Sequence, residues 1–178
     1  MNKTPKDMLR RYISEFVYGA VDGTVTTFAV VAASAGAGIS SSIILVLGIA
    51  NLLADGFSMG SSAYLAAESE TEDSARSTKR RASSKVIGAA TFGAFVAVGS
   101  VPILPYLIDV VGGIKAEGMT LFAYSATGTV LTFVAIGYVK GRVSDKSPWK
   151  SVAVTVLLGV IAALLAYAAG DLLAGLIT

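Results

Sequence analysis

The stretch Gly48–Glu70, GIANLLADGFSMGSSAYLAAESE, contains the features that decide the fold. Its apolar run is long enough to enter a bilayer, yet it carries Asp55 and ends among acidic residues. Asn51, Asp55 and Met59 are spaced four residues apart, so on a helix their side chains stack along one face. A second acid, Asp22, lies in the preceding apolar segment VYGAVDGTVTTFAVVA. We therefore predict that the two helices face each other and handle a divalent metal inside a membrane.

The composition is that of a membrane protein with several spans. Of the 178 residues, 54% are hydrophobic and 15% are charged, and the mean hydropathy is +0.71. Soluble domains carry about 25% charged residues. The net charge of +2 is too small to indicate a nucleic-acid partner.

The absence of Cys and His from the sequence excludes several kinds of chemistry. Disulfides, thiolate or imidazole metal sites, and Cys- or His-based catalysis are ruled out. A metal site would need oxygen ligands and a Met sulfur. The chain also shows no nucleophile–base set and no nucleotide-binding loop, so we expect neither an enzyme nor a cofactor.

Five apolar segments are long enough to cross a membrane as helices. They are expected at about residues 16–35, 42–67, 86–108, 119–139 and 152–177. Pro102 and Pro105 lie near the end of the third segment, where a missing backbone donor kinks or ends a helix. The fold class is thus an all-α membrane protein, with a single transmembrane domain over residues 1–178 and no separate soluble domain. The first segment runs past signal-peptide length, so we expect no cleaved targeting peptide.

The basic residues indicate the topology. Every Lys and Arg except Lys115 falls in the N-terminal lead-in or in the connections after the second and fourth segments. Cytosolic connections are enriched in Lys and Arg, so we expect a cytosolic N-terminus and an outer C-terminus. Asp109, Lys115 and Glu117 would then lie in a solvated outer loop. An odd number of helices cannot form two equal inverted halves, and a symmetric homodimer would supply the missing two-fold axis.

Asp22 and Asp55 are acids for which the membrane segments offer no basic partner. An ionisable group in a membrane helix costs about 2.5–3.5 kcal/mol on insertion scales. Such acids must be protonated, hydrated by a cavity or neutralised by a cation, and two of them fit a path for a positively charged solute. The structural alternative is that each is a protonated acid bonded to a neighbouring helix.

Met59 and Asn51 bear on the identity of the metal. Mg²⁺ and Ca²⁺ gain little from a thioether, whereas Fe²⁺, Mn²⁺ and Co²⁺ tolerate it. Taken alone, however, a Met in a membrane helix more often packs, and Asn51 is equally consistent with an interhelical hydrogen bond. Hydroxyl side chains that could line the same path are Tyr18, Thr26, Thr27, Ser58 and Ser62.

Four acids follow the second segment at its expected cytosolic mouth: Glu68, Glu70, Glu72 and Asp73. They could concentrate cations before entry. They could equally be a solvated helix end that pairs with Arg76, Lys79 and Arg80 at helical spacing. The sequence does not choose between these interpretations.

An Asp-Gly pair occurs in both of the first two segments, at 22–23 and at 55–56. Each glycine belongs to a small-xxx-small pattern, which lets helices approach closely. In a chain rich in Gly and Ala such matches arise by chance, so the recurring Asp-Gly pattern is weak evidence of an internal repeat.

Several motifs, in order, resemble the vacuolar iron transporter (VIT) family: DGTVTTFAVVA, ADGFSMGSSAYLAAESE, VPILPY, GYVKGRVS and AALLAYAAG. The resemblance runs from about residue 14 to the C-terminus. It implies a five-helix homodimer with a metal path between the subunits. It also implies export of Fe²⁺, and often Mn²⁺, from the cytosol in exchange for protons. The family's metal-handling Asp and Met fall on Asp22 and Met59.

Two departures from plant-type members matter. Those members have Glu where this chain has Asn51 and no acid where it has Asp55, and they insert a helical cytosolic metal-binding domain after the second helix. Here that connection, about residues 68–85, is too short for three helices of about 10 residues each. The chain therefore resembles a short form that lacks this domain, and Mn²⁺ is a plausible cargo.

The leading hypothesis is a proton-coupled exporter of divalent metal, with itself as homodimer partner, in a prokaryotic plasma membrane or, in a eukaryote, a vacuolar-type membrane. The alternatives are a cation channel, whose flux would ignore a pH gradient, and a scaffold protein whose polar residues only hold helices together.

Overall fold

The computed structural model describes residues 5–72, 83–144 and 147–177. This part of the chain forms six α-helices: α1 (Pro5–Gly36), α2 (Ser41–Glu72), α3 (Ser84–Gly99), α4 (Leu104–Gly112), α5 (Gly118–Val143) and α6 (Pro148–Ile177). A single 3-10 turn, Val101–Ile103, joins α3 to α4.

Five stretches of the described chain are long and apolar enough to cross a membrane: Tyr12–Gly36, Ser41–Glu70, Ser84–Gly112, Gly118–Val143 and Pro148–Leu176. The third stretch comprises α3, the 3-10 turn and α4. The prediction of an all-helical protein with five spans is confirmed. The orientation in the membrane and the homodimer stay predictions.

The two prolines of the third span interrupt the helix without ending it. Pro102 lies in the 3-10 turn, and Pro105 occupies the first turn of α4, where its missing N–H has no helical acceptor to lose. The helix then continues to Gly112, and Gly113 ends it in the left-handed region with φ 63°. Its end therefore lies beyond the position expected from the sequence.

This longer helix changes the environment of Asp109, and the expectation of a solvated loop residue is wrong. Asp109 lies on α4 with 8% of its surface exposed. Its Oδ1 accepts a hydrogen bond from the backbone N–H of Ala116 at 2.7 Å. The buried carboxylate thus ties down the connection between α4 and α5.

The bundle is arranged around α1, which packs against α2, α3, α5 and α6. The main apolar core lies beside it and includes Phe28 and Val31 of α1, Phe95 of α3 and Tyr106 of α4. By contrast, α6 packs mainly against α1 and α5, and 11% of its most apolar 18-residue stretch is buried. The largest fully buried side chains of the described residues accordingly lie on α1, α3, the 3-10 turn, α4 and α5.

Buried hydroxyl groups line the contacts between helices. Thr24, Thr91 and Thr129 are fully buried, and each hydroxyl donates to the carbonyl four residues earlier in its own helix, at 2.7–3.0 Å. Ser125 of α5 instead donates to the carbonyl of Pro102 at 2.6 Å. This bond fixes the break in the third span against α5.

Candidate metal path along α1 and α2

Phe95 of α3 sets the level of the two candidate acids. Gly23, directly after Asp22, packs so closely on Phe95 that an added Cβ would lie 2.5 Å from its carbonyl oxygen. Gly56, directly after Asp55, packs on the ring of the same residue, where an added Cβ would lie 3.2 Å from Cδ1. Consecutive residues of a helix differ by about 1.5 Å in height. Asp22 and Asp55 therefore lie at nearly the same level of the bundle.

These contacts give the two Asp-Gly pairs a physical meaning. Close packing against α3 requires the glycines, because a side chain at residue 23 would collide with main-chain atoms. The acid one residue earlier is rotated about 100° around its helix from that contact. The sequence could not predict that both Asp-Gly pairs pack against α3, because nothing in it distinguishes Phe95 from other apolar residues.

The structure brings the two acids together. Asp22 is half-buried and Asp55 is exposed, and they lie close enough for their carboxylates to interact electrostatically. Within the described ranges, neither forms an ion pair with a Lys or Arg. Two neighbouring carboxylates repel each other unless a proton or a cation lies between them.

Asn51 also faces α1. Its Nδ2 lies 3.4 Å from Oγ1 of Thr27, a fully buried residue of α1, as donor in a long hydrogen bond. The interhelical bond that the sequence left open is thus present. It uses the amide nitrogen, whereas a metal would use the amide oxygen.

Met59 is half-buried and packs against the apolar core that contains Phe95. The packing that the sequence left open is therefore present as well. Met59 also lies one turn from Asp55 along α2, so packing and metal contact are compatible for a long, flexible side chain. Met59 as a metal ligand stays a prediction.

One protomer alone offers few ligands. In the part of the chain that the structure describes, no group of three or more Asp, Glu, His or Cys side chains could hold a metal ion. The path along α1 and α2 supplies two carboxylates, an amide and a thioether. Asp55, moreover, is exposed in the middle of a membrane-spanning helix.

The acids at the end of α2 divide between two sides of the helix. Glu68 accepts a hydrogen bond from the hydroxyl of Tyr64 at 2.8 Å, and Tyr64 packs against Gly88 of α3. Glu68 therefore lies on the side of α2 that faces α3. Glu70 is exposed. The side chain of Glu72 and all of Asp73 lie outside the described residues, as do Arg76, Lys79 and Arg80.

A cavity opens toward the N-terminal end of α1, below Asp22. It measures 310 Å³ and lies between α1 and α5, with Ser14, Tyr18, Val21 and Lys140 among its lining residues. Tyr18 is four residues before Asp22 and therefore on the same face of α1. The cavity thus reaches to within one helical turn of the acid. Lys140 was not a sequence candidate, since its approach to α1 depends on how α5 packs.

Comparison with known proteins identifies the family to which the chain is similar. A sequence profile of the VIT family matches residues 13–87 and 76–171. A vacuolar iron transporter of Toxoplasma gondii is 26% identical, with 91% of this chain and 74% of the relative covered. A vacuolar iron transporter 1 of Eucalyptus grandis is also 26% identical, over 87% of this chain and 84% of its own length. Over a shorter stretch, 38% of this chain and 27% of the relative, a vacuolar iron transporter 1 of Arabidopsis thaliana is 44% identical.

Proposed function

This chain belongs to the VIT family, and we propose that it carries a divalent transition metal, Fe²⁺ or Mn²⁺, out of the cytosol. Relatives named vacuolar iron transporters, matched over 74% and 84% of their length, support the class of cargo. The donor set supports it independently, because carboxylates, an amide and one thioether suit these ions better than Mg²⁺ or Ca²⁺.

The observation that carries the proposal is the pair Asp22 and Asp55. Both lie at one level, set by Phe95, and their carboxylates interact across the contact between α1 and α2. Holding two like charges together in a membrane span is costly unless a cation shares them. A divalent ion bound there removes the repulsion. Among the described residues, no Lys or Arg pairs with either acid, so no paired basic side chain would repel the ion.

We further propose that two copies form a symmetric homodimer along this face. Asp55, Ser58 and Ser62 are exposed on α2, and Tyr18 is exposed on α1. Lipid tails cannot satisfy these groups. A second copy related by a two-fold axis would cover them and double the number of carboxylates, which would complete the ligand set that one protomer lacks.

Proton exchange would follow from the same two acids. Protonation of Asp22 or Asp55 from the outer side would remove the charge that holds the metal and release it. Deprotonation toward the cytosol would restore the charge and recruit the next ion. The proposed direction rests on the distribution of Lys and Arg, which favours a cytosolic N-terminus.

The test is metal flux into proteoliposomes that contain a metal-sensitive dye. Fe²⁺, Mn²⁺, Co²⁺ and Zn²⁺ are compared side by side, each with and without a pH gradient. We expect flux of Fe²⁺ or Mn²⁺ that is faster when the receiving side is acidic. Equal flux with and without the pH gradient would favour the channel alternative over the antiporter. No flux of any of the four metals by folded protein would leave the scaffold alternative.

A further inference from the structure

A groove of 320 Å³ runs along the contact between α2 and α3, on the surface of the bundle. Gly60 of α2 and Gly88 of α3 lie in its lining. A Cβ added at Gly88 would lie 2.8 Å from the carbonyl oxygen of Gly60, so the two helices touch there and close the groove toward the interior. A molecule in the groove would therefore lie against the outside of the protomer.

The groove faces away from the proposed metal path. Tyr64, which lines the groove, follows Asp55 by nine residues and so lies about 180° from it around α2. The lining of the groove contains none of the four candidate metal residues, Asp22, Asn51, Asp55 and Met59. A second copy that covers the Asp55 face would therefore leave the groove open to the bilayer.

Aromatic side chains supply most of the apolar surface of the groove. Phe57 of α2 is 70% exposed and Phe92 of α3 is 37% exposed, and Tyr64 is the third aromatic residue of the lining. Lys85 also lines the groove, seven residues before Phe92, which corresponds to about 10 Å along α3. The groove therefore has an apolar stretch that leads to a charged end.

One basic and one acidic group stand at this charged end, which is expected to face the cytosol. Lys85 is the second residue of the third span, is exposed, and forms no ion pair or hydrogen bond within the described ranges. Glu68 lies one turn beyond Tyr64 on the same face of α2 and accepts the Tyr64 hydroxyl through Oε1 at 2.8 Å. Among the described residues its Oε2 has no hydrogen-bond partner. A ligand that carries both charges could therefore bond to both side chains.

We propose that the groove binds a phospholipid with a primary-amine headgroup, phosphatidylethanolamine. Its phosphate accepts from the ammonium of Lys85, and its own ammonium donates to the carboxylate of Glu68. One acyl chain lies along Phe57 and Phe92. Charge-assisted bonds of this kind are the stronger hydrogen bonds, and basic pockets between membrane helices on the cytosolic side are suited to lipid headgroups.

The two charges distinguish this lipid from others. Phosphatidylcholine carries the same phosphate, but its trimethylammonium group has no N–H to donate to Glu68. Phosphatidylglycerol has no cationic group, so Glu68 would only repel its headgroup. The proposal thus gives Glu68 a role in binding lipid rather than in attracting metal ions.

Native mass spectrometry of the full chain in detergent tests the proposal. Delipidated protein, with no metal added, is titrated with dioleoyl phosphatidylethanolamine, phosphatidylcholine or phosphatidylglycerol, and the lipid bound to each protomer is counted. We expect phosphatidylethanolamine to bind about threefold to tenfold more tightly than phosphatidylcholine, the effect of one additional hydrogen bond. Equal affinities for these two lipids, or tightest binding of phosphatidylglycerol, would overturn the proposal.

Two variants separate the roles of the charged residues. Glu68→Gln keeps an acceptor for Tyr64 and should abolish the preference for phosphatidylethanolamine over phosphatidylcholine. Lys85→Gln should weaken the binding of both lipids by a similar factor, about threefold to tenfold, and keep the preference. Lys150→Gln, at an exposed lysine of α6 outside the groove, is the control and should bind like wild type. A preference that survives in Glu68→Gln, or unchanged affinities in Lys85→Gln, would contradict the assignment.

A third variant tests the groove itself and leaves both charges in place. Ala89 of α3 is an exposed residue of the lining, so Ala89→Trp should fill the groove and abolish specific binding of phosphatidylethanolamine. Unimpaired binding by this variant would place the lipid elsewhere. All of these measurements are made without metal, so the lipid site and metal transport can each fail without the other.

Discussion

The helices α2 and α6 are both peripheral and similar in length, with spans of 30 and 29 residues, yet they expose opposite chemistry. The surface of α6 carries leucines such as Leu164, Leu165 and Leu172. That of α2 carries Asp55, Ser58 and Ser62 beside its apolar residues. Lipid tails can cover the first surface and cannot cover the second.

This difference shows what exposure means in a membrane protein. Exposure of the leucines on α6 needs no explanation beyond lipid, and the exposed acid of this helix, Asp171, lies within two turns of its C-terminal end. Exposure on α2 requires a partner, water or an ion. The face of α2 toward α3 is closed by Gly56 and Gly60, so the requirement falls on the flank toward α1.

The largest effect is expected from Asp22→Asn and Asp55→Asn. Each change removes one of the two interacting charges and should slow metal flux in proteoliposomes by at least about tenfold, equivalent to about 1.4 kcal/mol. Asp171→Asn, an exposed acid on α6, is the control and should transport normally. Wild-type flux in both Asp22→Asn and Asp55→Asn would show that neither acid takes part in metal transport.

Replacement of Gly23 by a larger residue should push α1 away from Phe95 and so shift Asp22 relative to Asp55. The Cβ of Gly23→Ala would collide with the carbonyl oxygen of Phe95, so we expect a loss of about 1–3 kcal/mol in the free energy of unfolding. Gly93→Ala, where an added Cβ meets nothing within 4 Å, should instead be neutral or stabilising by up to about 1 kcal/mol. Denaturant unfolding in detergent measures both. Similar effects of the two variants would contradict the close contact between α1 and α3.

A smaller effect is expected from Met59→Leu, which keeps the volume against the core and removes the sulfur. Stability should change by less than about 1.5 kcal/mol, while flux of Fe²⁺ or Mn²⁺ falls several-fold. Met119→Leu, at an exposed position of α5, controls for loss of a thioether elsewhere. If the flux of Met59→Leu falls only as far as its stability does, Met59 has a packing role and is not a metal ligand.

The smallest effect is expected on α6. The double variant Leu164→Ala, Leu165→Ala removes exposed side chains and should change stability by no more than about 0.5 kcal/mol per site, with flux unchanged. Leu52→Ala, at a buried position of α2, should by contrast cost about 2–5 kcal/mol. A large loss from the α6 variant would show that protein, not lipid, covers this helix.

Much of the fold follows from local sequence properties. The five spans were predictable because the length and hydropathy of a segment suffice to place it in a membrane. The acids at 22 and 55 stood out for the same reason, since charge within an apolar run is expensive. The third span was expected to end at about residue 108 and reaches Gly112, because the last turn of α4 is held by the buried Asp109 and its bond to Ala116, a contact that the local sequence does not show.

The sequence by itself determined the number of spans, the absence of Cys and His chemistry, and the identity of the residues that could bind a cation. Only the tertiary structure decided which of them meet. Asp22 and Asp55 meet at the level of Phe95, Asn51 bonds to Thr27, and Tyr64 holds Glu68 on the side of α2 that faces α3. The physical reason is that hydropathy and charge are properties of each residue, whereas these contacts depend on how closely the glycines let α1, α2 and α3 approach.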